Sequence, residues 1–193
     1  RDRRRSGRAG RRGRRGRVAA LAHVLERHLD QRCHLGGQVR IAASAPHRAD
    51  LEAITRFLAD EITRLGVHVH LRTPVDPDLV IEQHPDDVIV ATGSTPRRGG
   101  FQLSSPSTPV PGGDLAHVYT VWDVLGFGGR ATIGRNAVVY DDTATFEAIA
   151  AADTLVADGA NVTIVSRLEQ RGANIPYPPA TVEASRERLY AAG

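Results

Sequence analysis

A strand–helix–strand pattern constrains the fold more than any other feature of this sequence. Ala137–Tyr140 and Val162–Val165 are short apolar runs typical of strands, and both lie within Asn136–Arg167. Between them, Ala144–Asp158 has the apolar spacing of a helix, and Gly159 follows as a helix stop. Two strands joined through a helix form a parallel βαβ unit. We therefore predict an α/β protein.

The turn after the first of these strands has an unusual composition for a nucleotide-binding unit. It reads YDDTAT from Tyr140 to Thr145, with no glycine and two adjacent carboxylates. Phosphate binding at a helix N-terminus depends on close backbone approach and on positive potential. Asp141 and Asp142 oppose both requirements. We therefore predict a Rossmann-type scaffold here that binds no pyrophosphate in the usual manner.

An amphipathic helix and a strand are predicted earlier in the chain. Arg48–Leu65 places its apolar residues on one face, and Gly66 stops the helix. Val67–Leu71 then alternates apolar and polar residues, which predicts a strand. His68 and His70 on its polar side could bind a metal ion. No third ligand is placed nearby, so we prefer a solvent-facing strand edge.

A second strand signal lies at Asp87–Ala91, a continuous apolar run typical of a strand buried on both faces of a parallel sheet. Thr92–Pro96 follows as a small loop that contains Gly93. Ligands of open α/β sheets lie beyond the carboxyl ends of strands, and glycine lets the backbone approach a cofactor. This loop is therefore a candidate cofactor contact. Arg97–Gly113, rich in Pro, Ser and Gly, predicts a long irregular excursion.

The overall composition is ordinary for a globular domain. The 193 residues are 41% hydrophobic and 24% charged, enough for one medium domain or two small ones. No apolar run reaches roughly 18 residues, so we expect no membrane span. The single cysteine, Cys33, excludes an internal disulfide and favours a reducing, cytoplasmic setting. Because the sequence contains no Met, we expect Arg1 to be the edge of a fragment.

Charge is divided unevenly between a basic leader and an acidic body. Arg1–Arg17 contains ten Arg and one acid, Asp2, whereas the chain from Val18 onward has 15 Arg and 21 acidic residues. An arginine–glycine tract of this kind cannot bury apolar surface. It could bind nucleic acid by neutralising phosphates, although it has no aromatic residue for base stacking. A solvated tail without a role is a second interpretation.

A shifted reading frame is a third interpretation of the leader, and we prefer it. All 25 basic residues of the chain are Arg, a bias expected of a GC-rich coding sequence. Arginine codons of the CGG type become glycine codons when read one nucleotide later. Residues 1–10 can then spell Val-Ile-Gly-Gly-Gly-Pro-Ala-Gly-Leu-Glu, a strand end followed by the G-x-G-x-x-G fingerprint. Val18–Leu29 has the spacing of a helix and is open to the same shift.

Three motifs together carry a resemblance to a known family. They are LGGQ at residues 35–38, VIVATGS at residues 88–94 and YDD at residues 140–142. The sequence resembles the C-terminal half of the multidomain Old Yellow Enzyme-like flavoproteins, from about residue 35 to its end. Those include 2,4-dienoyl-CoA reductase, trimethylamine and dimethylamine dehydrogenases, and N-methyl amino-acid demethylases. The YDD turn looks like the amine dehydrogenase branch, and residues 172–189 look like the demethylase-type members.

The resemblance implies a fold and a set of cofactor contacts. The fold would be a Rossmann-like FAD/NAD(P)-binding fold of two nested βαβ units, truncated at Gly193 after a last helix, Ala180–Ala192. Six residues would contact the cofactor, the first three along the nucleotide or flavin and the others beside the pyrophosphate: Gly36, Gly37, Gln38, Ala91, Thr92 and Gly93.

The implied organisation has three parts: residues 1–17 as the leader, residues 18–132 as an FAD- or ADP-binding region, and residues 133–193 as a second, truncated Rossmann-like unit. In the family, an N-terminal barrel holds FMN and a cysteine cluster holds a 4Fe-4S centre, so we expect both outside this chain. We therefore expect the nucleotide-binding fragment of a flavin-dependent oxidoreductase, inactive alone, with FAD or ADP and the barrel as partners. We name no catalytic or metal-ligating residue. The alternatives are an Arg-tailed nucleic-acid-binding module and a non-functional degenerate fragment.

Overall fold

A computed structural model describes residues 34–175 and 180–191 of the 193-residue chain. The predictions made for Arg1–Arg17 and Val18–Leu29 lie outside these residues. The helices and strands, in chain order, are α1 (Gly37–Ala43), a 3-10 turn (Ala49–Leu51), α2 (Glu52–Arg64), α3 (Pro77–Glu82), α4 (Val121–Val124), β1 (Asn136–Asp141), α5 (Phe146–Ala157), β2 (Asn161–Ser166) and α6 (Ala180–Ala191).

The strands β1 and β2 form the predicted parallel pair, and α5 connects them. Their register runs from Asn136 opposite Asn161 to Asp141 opposite Ser166. Gly159, just after α5, has a φ of 82°, a left-handed conformation that L side chains rarely adopt. Glycine at this position lets the chain leave the helix and enter β2. The predicted βαβ unit is confirmed, and the protein has a mixed helix–strand fold with a parallel sheet.

The core lies between α5 and the face of the sheet that α5 covers. Leu155 of α5 is 5% exposed and packs with Val124 of α4. Val139 of β1 and Val162 of β2 pack against this cluster, because alternate residues of a strand point to the same face. The opposite face remains open in the part of the chain described, where Val138 is 70% exposed.

The predicted helix Arg48–Leu65 is confirmed in position, but its apolar face is not buried by the described residues. The structure divides it into the 3-10 turn and α2, and Gly66 follows with a φ of 71°. No residue of α2 is buried by the residues described here, and Phe57 is 64% exposed. Apolar periodicity predicts a helix and identifies its apolar face. It does not supply the surface that covers this face.

Two predicted strands are absent from the described ranges. Val67–Leu71 and Asp87–Ala91 have no regular secondary structure, and the sheet formed by these ranges contains β1 and β2 alone. Ile89 is 91% exposed, so the prediction of a strand buried on both faces is wrong. An apolar run becomes a strand only where a neighbour pairs with its backbone, and neither segment pairs with β1 or β2. The second nested βαβ unit stays a prediction.

Several smaller elements complete the comparison with the sequence. The segment Arg97–Gly113 is irregular as predicted. The predicted helix Ala180–Ala192 corresponds to α6. The sequence analysis missed α3, which begins where the Asp76 side chain accepts a hydrogen bond from Leu79 N at 2.8 Å. Within residues 34–175 and 180–191, no helix is long and apolar enough to cross a membrane.

Candidate functional site

The structure brings together the two segments that the sequence analysis singled out. The side chain of Gln38, in the first turn of α1, lies against the loop that contains Gly93. Its Nε2 donates hydrogen bonds to Ser94 O at 2.8 Å and to Ser94 Oγ at 2.9 Å, across 56 positions of sequence. Ser94 was not among the predicted contact residues, although it belongs to the ATGS motif. The start of α1 and the loop that contains Gly93 therefore form one continuous surface.

The three glycines of this surface have different structural reasons. Gly36 has a φ of 114°, and a Cβ there would lie 2.5 Å from Thr55 Cγ2 of α2. Close packing of α1 on α2 therefore requires glycine at this position. Gly37 has a φ of 45°, and a Cβ there would meet no atom within 4 Å. Gly93 has a φ of 69° and lies beside Gln38. Gly37 and Gly93 therefore leave backbone open to an approaching molecule.

Ala91 and Thr92 precede Gly93 in an extended, exposed segment. The side chains of both residues are therefore accessible to a ligand. The structure therefore brings Gly93 against Gln38 and leaves Ala91 and Thr92 beside this contact as an accessible edge.

The segment after this loop is anchored to the βαβ unit through α4. Arg98 Nη2 donates to both carboxylate oxygens of Asp123, at 2.7 and 3.0 Å. The same carboxylate accepts hydrogen bonds from the backbone N–H and the hydroxyl of Thr120, both at 2.8 Å. Burial raises the pKa of Asp123, but these hydrogen bonds and the nearby Arg98 charge outweigh burial, so its pKa lies below the usual value. A charged Asp123 therefore holds both the start of α4 and the loop.

The acidic turn after β1 satisfies its own donors. Asp141 is 3% exposed, and its Oδ1 accepts hydrogen bonds from Ala144 N at 2.7 Å and from Thr143 N at 3.2 Å. Asn174 covers the turn from outside, because its Nδ2 donates to Thr143 O at 2.8 Å. In a glycine loop, backbone N–H groups of this kind face a phosphate. Here the turn's own carboxylate occupies the N–H groups of Thr143 and Ala144, and the absence of pyrophosphate binding at this unit stays a prediction.

The second carboxylate of the turn holds a distant loop. Asp142 Oδ2 accepts hydrogen bonds from Leu103 N and, at 3.3 Å, from Ser104 N. Its Oδ1 accepts a hydrogen bond from Arg167 Nε at 3.1 Å. Burial raises the pKa of Asp142, but the hydrogen bonds from Ser104, Leu103 and Arg167 outweigh it, so the pKa lies below its usual value. The sequence analysis missed Leu103 and Ser104 as partners because backbone donors leave no residue-type signal.

Other features of the surface lie apart from these loops. One cavity of about 270 Å³ is lined by residues near the starts of β1 and β2, and another of about 240 Å³ lies between α5 and α6. Neither contains any of the six predicted contact residues. Among the residues that the structure describes, no group of three or more His, Cys, Asp or Glu could hold a metal ion. The candidate site is therefore the surface at Gln38 and Ser94, which offers exposed backbone and polar side chains to a ligand.

Comparison with known proteins relates the chain to oxidoreductases. It is 33% identical over 142 residues to the N,N-dimethylglycine/sarcosine dehydrogenase of Chromohalobacter salexigens, covering 73% of this chain and 20% of that protein. It is 31% identical over 142 residues to the NADH oxidase of Thermoanaerobacter brockii, covering 72% of this chain and 20% of that protein. The chain thus spans about a fifth of the length of these relatives. No protein-family model matches it.

A solved structure shares the fold. The 6-hydroxypseudooxynicotine amine oxidase of Pseudomonas geniculata N1 superimposes with a TM-score of 0.72 at 28% identity, over 83% of this chain and 24% of that one. The relatives found by sequence and by structure are both redox enzymes by name. The chain is therefore homologous to a part of larger oxidoreductases.

Proposed function

We propose that the chain is the nucleotide-binding part of a flavin-dependent oxidoreductase of the Old Yellow Enzyme-like multidomain type. It binds FAD, or ADP alone, along the surface formed by residues 36–38 and 91–93. The observation that carries the proposal is the pair of hydrogen bonds from Gln38 to Ser94, which unites the two segments. The similarity to a dehydrogenase, an NADH oxidase and an amine oxidase supports the redox assignment.

The residues of this surface fit an extended nucleotide. Gly37 and Gly93 expose backbone on which a cofactor can lie closely, because no Cβ stands between the chain and the ligand. Gln38 donates with Nε2 to Ser94, and its Oε1 remains able to accept a hydrogen bond from a ligand hydroxyl or N–H. Ala91 and Thr92 add a small, accessible edge. The surface therefore suits binding and orientation of a nucleotide.

The acidic turn supports placing the nucleotide at this surface and not at the βαβ unit. Asp141 already accepts the backbone N–H groups of its turn, and Asp142 adds a second negative charge. Phosphates would be repelled there, and the backbone N–H groups of Thr143 and Ala144 are already bound to Asp141. By contrast, no carboxylate belongs to residues 36–38 or 91–93. Charge therefore favours the Gln38–Ser94 surface.

The chain supplies binding and orientation, whereas the flavin supplies the hydride and electron chemistry when it is bound. By the same resemblance, FMN, a 4Fe-4S cluster and the substrate would be held by an N-terminal barrel. We expect no turnover by this chain alone. Oxidation of NADH or of a methylated amine by the purified 193-residue chain would contradict this division of labour.

Titration of the purified chain with FAD and ADP tests the proposal. We expect saturable quenching of flavin fluorescence, with ADP competing if the adenosine half is recognised. Gly93→Val places a branched side chain on the proposed surface, and we expect it to weaken binding at least about tenfold, or about 1.4 kcal/mol. Gly99→Val is the matched control, since Gly99 also has a left-handed φ of 85° with open space around its Cβ position.

Three outcomes would count against the proposal: no binding of either nucleotide, equal binding by the Gly93→Val variant, or equal loss in the Gly99→Val control. Circular dichroism of both variants separates loss of a contact from loss of fold. Displacement of FAD by ADP would assign the adenosine half to this surface, and binding of FAD without competition would assign the flavin half.

A further inference from the structure

A second site candidate lies away from the Gln38–Ser94 surface. The cavity of about 240 Å³ is bounded by the loop at residues 46–48, by α5 and by α6. One part of its lining is polar and contains His47, Arg48, Asp153 and Arg188. The remainder is mainly apolar, with the ring of Phe146 and the side chain of Ile149. Three separate chain segments therefore converge on a cavity of mixed character.

The formal charges in this lining do not balance. Asp153 is 8% exposed, and its carboxylate accepts a hydrogen bond from Arg188 Nη2 at 2.8 Å. This contact pairs one carboxylate with one guanidinium. Arg48 lies over the ring of Phe146 at 3.9 Å from its centroid and forms no ion pair with a carboxylate of the described chain. The lining therefore contains two arginines and one carboxylate, which leaves the charge of Arg48 without a partner there.

One donor in the same lining lacks an acceptor. Arg188 Nε is buried and has no hydrogen-bond partner, although Nη2 of the same guanidinium is bound to Asp153 and to Ser185 Oγ. Buried polar atoms are nearly always paired, and an unpaired donor on a charged group is unfavourable. A negatively charged group bound in the cavity would balance the charge of Arg48 and would lie beside the Arg188 guanidinium, which lines the same cavity.

We propose that this cavity binds a small organic carboxylate. A carboxylate carries the single negative charge that the lining lacks, and its two oxygens match the planar donors of a guanidinium. An apolar body on the same molecule would contact Phe146 and Ile149. The volume lies below the roughly 300–1,000 Å³ of pockets for drug-sized ligands, which restricts the ligand to a small molecule. The proposal is independent of nucleotide binding at the Gln38–Ser94 surface.

Benzoate and benzamide provide a matched pair of probes, because they share a ring and differ in charge. Binding to the purified chain is followed by the amide chemical shifts of residues 146–153 and 182–188 in an isotope-labelled sample. We expect saturable shifts with benzoate and at least about tenfold weaker binding of benzamide. Inorganic phosphate, which is charged but has no apolar body, is expected to bind more weakly than benzoate.

Two variants test the residues. Arg48→Gln removes the uncompensated charge without touching the Arg188–Asp153 pair, and we expect it to weaken benzoate binding at least about tenfold. Arg97→Gln is the control, since Arg97 stacks on Phe101 at 4.2 Å outside the cavity. Ala184→Leu fills the cavity from an exposed position of α6 with a residue that favours helix, and it should abolish binding.

The proposal is overturned by any of four results. They are the absence of saturable shifts with benzoate, equal affinity for benzamide, tighter binding of phosphate, and unchanged benzoate affinity in the Arg48→Gln and Ala184→Leu variants. Unchanged affinity in Arg97→Gln, together with loss in both cavity variants, would establish the assignment. All of these results are independent of whether FAD or ADP binds at the Gln38–Ser94 surface.

Discussion

Replacement of Asp142 by Ala tests whether the acidic turn serves the fold. The change removes the acceptor of Leu103 N and of Ser104 N, and one of the two acceptors of Arg167 Nε, which still donates to Asp142 O at 3.3 Å. Hydrogen bonds to a charged group contribute about 1.5–3 kcal/mol each, and the low end applies to Leu103 N because water can reach its exposed loop. The 3.3 Å bond from Ser104 and the half-exposed Arg167 contribute about 0.5 kcal/mol each. We expect a loss of about 2–3 kcal/mol.

Urea unfolding followed by far-UV circular dichroism measures this loss. The matched control is Asp158→Ala, which removes a surface pair with Arg130 whose side chains are 44% and 54% exposed. Such a pair contributes at most about 1 kcal/mol. A typical domain is stable by about 5–15 kcal/mol, so the expected difference between the two variants is readily measured. If Asp142→Ala lost no more than Asp158→Ala, the structural role assigned to the acidic turn would be wrong.

Two further predictions concern pH and glycine. Because folding lowers the pKa of Asp142, its contribution is complete above the unfolded-state pKa of about 3.9 and is lost as the pH falls from there through the folded value. The stability difference between the wild-type chain and Asp142→Ala should therefore be constant near neutrality and shrink only in acid; a difference that shrinks near neutral pH would contradict this. Gly36→Ala should lose about 2–3 kcal/mol in thermal unfolding, since its Cβ would lie 2.5 Å from Thr55 Cγ2 at a φ of 114°. Gly37→Ala, with open space around it, should lose only about 1 kcal/mol, and equal losses would refute the packing argument.

The part of the fold that sequence predicted correctly is the part whose partners are close in sequence. In residues 136–167, each strand finds its neighbour through one helix, so local periodicity and the stop at Gly159 contain most of the information. The segment Asp87–Ala91 has an equally strong apolar run, yet it is exposed and irregular. An apolar run indicates that its side chains tend to be buried. A strand forms only where the backbone also finds hydrogen-bond partners.

The candidate site shows a similar division. The ATGS loop indicated a backbone surface because glycine lets the backbone approach a ligand, whereas the role of LGGQ came from the family resemblance alone. The contact between Gln38 and Ser94 spans 56 positions, and no spacing rule connects them. The bonds from Leu103 N and Ser104 N to Asp142 are still harder to predict, since any residue except proline has a backbone N–H.

The similarity to the relatives covers most of the chain and therefore does not distinguish the Gln38–Ser94 surface from the acidic turn after β1. The hydrogen bonds of the structure do distinguish them. After β1, Asp141 accepts the N–H groups of its own turn, and Asp142 fastens residues 103–104 over the end of the strand. A phosphate would have to displace both carboxylates while being repelled by them. Replacing the turn by glycine would remove this repulsion, but Asn174 would still cover the turn through the carbonyls of Thr143 and Ala144. We therefore expect that glycine substitution in this turn does not by itself create a nucleotide site, and that any nucleotide binding remains dependent on Gly93.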